Sequence, residues 1–144
     1  MYRMNRPGSS HHPRRAAATV EMAICLPIVI AIAFGTIEIC SAFYLKESLT
    51  LAAYEGAREG MPMGGTNAAA TARVFSILDE RGIKYDRSSA VTISTPGFDS
   101  APELTHVTVN VKVAAQENTI SLSQFFLGKQ IEAQVVCAKQ FKNG

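Results

Sequence analysis

Apolar positions are concentrated early in this chain. From Met22 to Phe34 it reads MAICLPIVIAIAF without a charge, and it continues as GTIEICSAFYL to Leu45. With the small residues Ala17 to Val20 in front, the run is about 25 residues long, and a helix needs about 20 to cross the hydrocarbon core of a bilayer. Pro27 falls near its start, and membrane helices tolerate proline better than soluble ones. The pattern predicts that the helix continues outward from Glu47 to Glu59, where Gly56 is the one weak former. Met61-Pro62-Met63-Gly64-Gly65 then breaks it.

Thr66 is placed to cap a second helix running through Arg81. Ala70, Val74, Ile77, Leu78 and Arg81 recur at three- and four-residue steps, and Gly82 follows as a stop. Beyond that the period changes to two. Ala90 to Thr95 (AVTIST) reads as one strand. His106 to Val113 (HVTVNVKV) alternates strictly, with valines on one face and His106, Thr108, Asn110 and Lys112 on the other. Gln130 to Gln140 alternates partly, through Ile131, Ala133, Val135 and Cys137. Pro96-Gly97 and Pro102 mark loops. Ile120 to Leu127 (ISLSQFFL), ended by Gly128, reads as a short helix or an apolar connector. Three half-buried strands need a cover, and the two helices supply it. The expected class is α+β: a long N-terminal transmembrane helix continuing into a small domain with a second helix and about three antiparallel strands. The expected segments are a basic leader over 1–16, the membrane helix over 17–45, and a helical extension with the α+β domain over 46–144.

Charge gives this layout a direction. The net charge is +2, but Arg3, Arg6, Arg14 and Arg15 precede the apolar run with no acid among them. A basic flank on one side of a span predicts the cytoplasmic side, so the domain is expected outside the inner (plasma) membrane. Phe43 and Tyr44, followed by Lys46, stand where the outer interface would fall. The exported part has ten acids and ten bases once Glu21 and Glu38 are set aside, which gives no electrostatic sign of a partner. Cations are not clustered on the domain as nucleic-acid binding requires.

Two carboxylates interrupt the membrane segment. Such a group costs about 2.5–3.5 kcal/mol at a helix centre on insertion scales, so its position matters. Glu38 lies near the outer edge, within reach of the interface or of a partner, and Glu21 lies near the inner edge. Gly56 and Gly60 have GxxxG spacing, which outside an apolar 20-mer is a weak signal. It reads as close packing of the helix on its own domain or as a face for a partner. Cys25, Cys40 and Cys137 show no CxxC or Cys/His spacing, which argues against a zinc site or a disulfide framework. In an exported domain Cys137 is open to oxidation. His11-His12 lies in a Pro/Ser/Gly-containing arm, and His106 lies on the polar face of a strand. No catalytic residue, metal set, cofactor loop or small-molecule site is legible.

The run Arg14-Arg15-Ala16-Ala17-Ala18-Thr19-Val20-Glu21-Met22 resembles the start of TadE-like proteins of tight-adherence (Flp-type) pilus systems. That family typically shows basic residues, a glycine, three small residues, valine, glutamate and a large apolar residue, then an apolar helix with an early proline, here Leu26-Pro27. Ile37-Glu38-Ile39 is similar to the family's apolar-acid-apolar step, and LTLAAYEGARE from Leu49 to Glu59 to its Ala-Ala-x-x-Gly-Ala-Arg stretch. The resemblance covers about residues 14–60.

The resemblance implies a prepilin-type signal cut on the cytoplasmic side with the helix retained. Glutamate as fifth mature residue places the cut between Ala16 and Ala17, and Ala16 departs from the family's glycine. Cleavage leaves a free amine on Ala17. In a bundle of such helices the Glu21 carboxylate would pair with a neighbour's amine and set the axial register, as buried polar pairs do in coiled coils. The implied role is a minor pilin or pseudopilin in adhesion and surface colonisation. Its implied partners are other pilin-like subunits, a polytopic platform protein and a prepilin peptidase. The alternatives are an unprocessed single-span binding module of the envelope, which Ala16 favours, and a secreted protein with a conventional signal peptide. The apolar run is too long for the latter, and Glu38 interrupts it. Nothing in the chain offers an enzyme's reacting groups.

Overall fold

A computed structural model of the chain describes residues 12–120 and 128–140. Helix α1 runs from His12 to Gly60. It starts within the expected basic leader and ends where the Met-Pro-Met-Gly-Gly break was expected. The chain divides into two units after Thr36.

The first unit is the apolar part of α1. Its large side chains point outward all round: Met22, Ile24, Val29 and Ile32 are each more than half exposed. A helix apolar on every side and not covered by its own chain is what a bilayer or a bundle of like helices accommodates. Pro27 lies inside the helix, and the Thr36 hydroxyl donates to the Ile32 carbonyl at 2.8 Å.

The second unit begins at Ile37 with the rest of α1. There Leu45, Leu49, Ala52, Ala53 and Ala57 form one buried stripe, each 1% exposed or less. Their three- and four-residue spacing places them on one face. Helix α2, Asn67–Glu80, packs on the small end of that stripe. Thr66 caps it, its hydroxyl accepting the Ala69 N–H at 3.1 Å. Its C-terminus closes as a Schellman turn: Gly82, at φ 65°, donates to Asp79 and Ile83 donates to Leu78. Buried Ile83 and Leu78 supply the apolar contact that accompanies the motif. The Thr66→Ala variant is expected to lose about 1 kcal/mol of stability. Urea unfolding followed by circular dichroism checks this, and an unchanged midpoint would make the cap energetically idle.

The sheet has three antiparallel strands in the order β1 (Val91–Ile93), β2 (His106–Ala114), β3 (Gln130–Ala138). Val111 pairs with Val91 on one side and Ala133 on the other. The alternation read from β2 is the one observed. Val107, Val109, Val111 and Val113 are buried in one core with the α1 stripe and with Ala70, Val74, Ile77 and Leu78 of α2. The N–H of Lys112 points to Ala90 beside β1, so Glu132, opposite Lys112, turns its backbone to the free edge of β3. Lys46 of α1 donates to the Glu132 carbonyl there.

Three details differ from the expected elements. β1 holds three residues, shorter than Ala90–Thr95. Strand β3 ends at Ala138, two residues early. The expected loop after Pro96 contains a helical turn, α3 (Gly97–Ser100), and a second turn, α4 (Ala115–Asn118), follows β2. Of the expected Ile120–Leu127 element only Ile120 is among the described residues, and His11 also lies outside them.

Candidate functional site

The processing, assembly and helix-packing residues singled out in the sequence all fall on α1, so they are positioned by one helix. The Ala16–Ala17 bond lies in its first turns, with Ala17 exposed. Glu21 is exposed one turn beyond Ala17, on a segment whose neighbours Val20 and Met22 are 59% and 65% exposed. A carboxylate placed there, among apolar side chains and outside any core of its own chain, meets either the headgroup region or another molecule. Cys25 and Cys40 are exposed on the same helix. This helix passes, by length and composition, for a membrane span: Ala17–Gly60 includes an 18-residue window of mean hydropathy 2.3.

The other singled-out residues belong to the second unit. Glu38 is buried, 5% exposed, and its carbonyl accepts the Ser41 hydroxyl at 2.8 Å. Gly56 lies against α2, where a Cβ would collide with the Val74 side chain and sit 3.0 Å from the Ala70 carbonyl oxygen. Gly60 lies against α3, where a Cβ would sit 2.6 Å from the Phe98 ring at Cγ. Both glycines therefore pack within their own domain, and the absence of side chains there lets α1 approach α2 and α3.

Two groups that the sequence reading passed over organise the distal end of this unit. Phe98, 2% exposed, is brought inward by α3. Asn67 at the start of α2 fixes that turn: its Oδ1 accepts the Phe98 N–H at 2.7 Å, and its own N–H donates to Asp99 Oδ1 at 3.2 Å. Lys139, 6% exposed, sends its ammonium to three carbonyls: Gly60 at 3.2 Å, Gly65 at 3.0 Å and Phe98 at 2.9 Å. One side chain after β3 thus ties the end of α1, the following turn and α3 together. No spacing signals such a tie. A lysine in an alternating strand reads as a solvated position.

The remaining polar groups do not form a reaction centre. A cleft of about 680 Å³ is lined by Glu55, Arg58, Glu59 and Arg73 among others. Its charges answer one another, since Glu55 pairs with Arg58 and Arg73 at 3.6 Å each. Burial pushes the Tyr85 hydroxyl above its ordinary pKa, and its bond to Asp79 at 2.8 Å acts in the same direction. Burial likewise raises the Cys137 thiol, against the opposing charge of Lys139. That keeps the sulfur protonated, and a thiol is a poor nucleophile. His106 is exposed. Among the described residues no cluster of three His, Cys, Asp or Glu side chains is arranged to hold a metal.

Residues 16–58 match the model of the TadE-like protein family. The matched stretch contains Ala16, Ala17, Glu21, Glu38 and Gly56, and stops two residues short of Gly60. No curated protein and no solved structure matches the chain.

Proposed function

We propose that this chain is a membrane-anchored structural or assembly component of a tight-adherence pilus, of the minor pilin or pseudopilin kind. The observation that carries the reading is the coincidence, on α1, of the TadE-like match with an all-round exposed apolar helix bearing Glu21 near its cytoplasmic end. The helix is inserted in the inner membrane with its basic flank in the cytoplasm and the α+β unit outside. A prepilin peptidase cuts between Ala16 and Ala17. The amine released on Ala17 pairs with Glu21 of a neighbouring pilin-like helix, and the polytopic platform protein supports the bundle. The role is structural, in adhesion and surface colonisation.

The second reading is an unprocessed single-span anchor carrying a binding module, and alanine in place of the family's glycine at position 16 favours it. Intact-mass and N-terminal analysis of the protein from native membranes separates the two. A chain beginning at Ala17 supports the pilus reading. A membrane-bound chain that keeps Arg14 and Arg15 removes the amine partner of Glu21 and sinks it in favour of the anchor. A chain beginning near Phe43 overturns both.

A further inference from the structure

Arg81, the C-cap of α2, is half-buried against α1. Its Nη1 donates to the Ser48 hydroxyl at 3.0 Å, and its guanidinium carbon lies 5.9 Å from the centre of the Tyr44 ring. The ion pairs among the described residues leave it without a carboxylate partner. A guanidinium carries five N–H donors, so one bond and one ring leave most of them unspent. Arg81 lines a cleft of about 290 Å³ together with Tyr44, Leu45, Gly82, Ile83, Asn118 and Ile120, among others. Of its polar wall, Asn118 is already committed. The Asn118 amide donates to the Lys84 and Ala114 carbonyls, and its oxygen accepts the Lys84 N–H at 2.7 Å. The apolar side chains at its edge are open, with Tyr44 55% and Ile120 57% exposed.

We propose that this cleft holds the phosphate of an outer-leaflet phospholipid. Arg81 donates to the phosphate oxygens, and Tyr44 and Ile120 lie against the glycerol and the upper acyl chain. The proposal rests on reading α1 as a membrane span, since Tyr44 stands at the outer end of its apolar run. An arginine held by a neighbour, with no carboxylate at ion-pairing distance among the described residues, suits a phosphate, whose oxygens its planar fork matches. Exposed aromatic and aliphatic side chains around it favour an esterified phosphate over a free one, because aromatic rings sit at headgroup level. Glu117 also lines the cleft. Its exposed carboxylate works against an anion, which gives the site a second, opposite handle.

The test is native mass spectrometry of the full chain in a neutral detergent, with phosphatidylglycerol titrated in. The wild type should retain one lipid, and inorganic phosphate should not displace it. Arg81→Gln should weaken retention by about tenfold, the loss of roughly one charge-assisted contact. Glu117→Gln should strengthen it by about threefold, from relief of a screened like-charge contact. A gain in binding cannot arise from misfolding, so the second variant guards the first. Equal retention in all three proteins overturns the proposal, as does displacement by inorganic phosphate. Carbonate extraction of the source membranes separates the two levels. A chain released into the soluble fraction removes the membrane reading itself, whereas a chain that stays in the pellet with unchanged lipid retention removes only the lipid site.

Discussion

Replacing Lys139 by methionine should cost the second unit about 3–5 kcal/mol, a large part of what a domain of this size has. Methionine fills a similar volume but donates nothing, so the carbonyls of Gly60, Gly65 and Phe98 lose their shared donor. Hydrogen bonds to a charged group contribute about 1.5–3 kcal/mol each and are not additive. Gly60 also ends α1, where unsatisfied carbonyls carry the negative end of the helix dipole and favour a cation. Against this stands the cost of burying an ammonium, which an apolar replacement avoids. Three converging carbonyls decide the balance, because those of Gly60 and Phe98 stay buried whatever stands at position 139. Urea unfolding of the full chain in detergent, followed by limited proteolysis across residues 60–66, measures the effect. A loss under about 1 kcal/mol would mean that desolvation of the ammonium consumes what its bonds return.

Glu21→Gln should leave membrane insertion intact and lower co-purification with pilin-like partners by about tenfold, the scale of one ion pair in a poorly hydrated setting. Glutamine keeps the shape and a hydrogen bond but removes the charge that the Ala17 amine would meet. If the role were only to reach the headgroups, the neutral side chain would insert as well or better and partner recovery would not change. Parallel pull-downs of Glu21→Gln and wild type from membranes, normalised to membrane-inserted protein, decide between these outcomes. Equal recovery ends the assignment of an assembly contact to this carboxylate.

The elements that could be read in advance have long-range signals written locally. The valines at alternate positions of β2 and the three- and four-residue recurrence in α2 state which face is buried, and Thr66 and Gly82 mark the ends of α2. What stayed hidden depends on distant chain. Pro96-Gly97 is a turn signal, and nothing in it tells that the next residue is a core phenylalanine. That follows from Asn67, 31 positions away, holding the Phe98 N–H. The glycine pair at 56 and 60 is equally legible as a seam for another molecule, and only the presence of Val74 and Phe98 opposite shows what fills the space. Glu38 follows the same rule, since spacing places it near the end of the apolar run but not in a buried position. For Ala16, Ala17 and Glu21 the sequence carries the argument, because the roles proposed for them lie in chemistry between molecules.

The tie at Lys139 has a consequence in time. It joins residues 79 positions apart, across everything between the end of α1 and the end of β3. A chain made from its N-terminus presents α1 first and β3 last. Long separations are slow to close, since their entropy must be spent before any contact forms. Until β3 has emerged, water serves the three carbonyls and the far end of α1 stays loose. The domain therefore locks only after its last strand is available to pair.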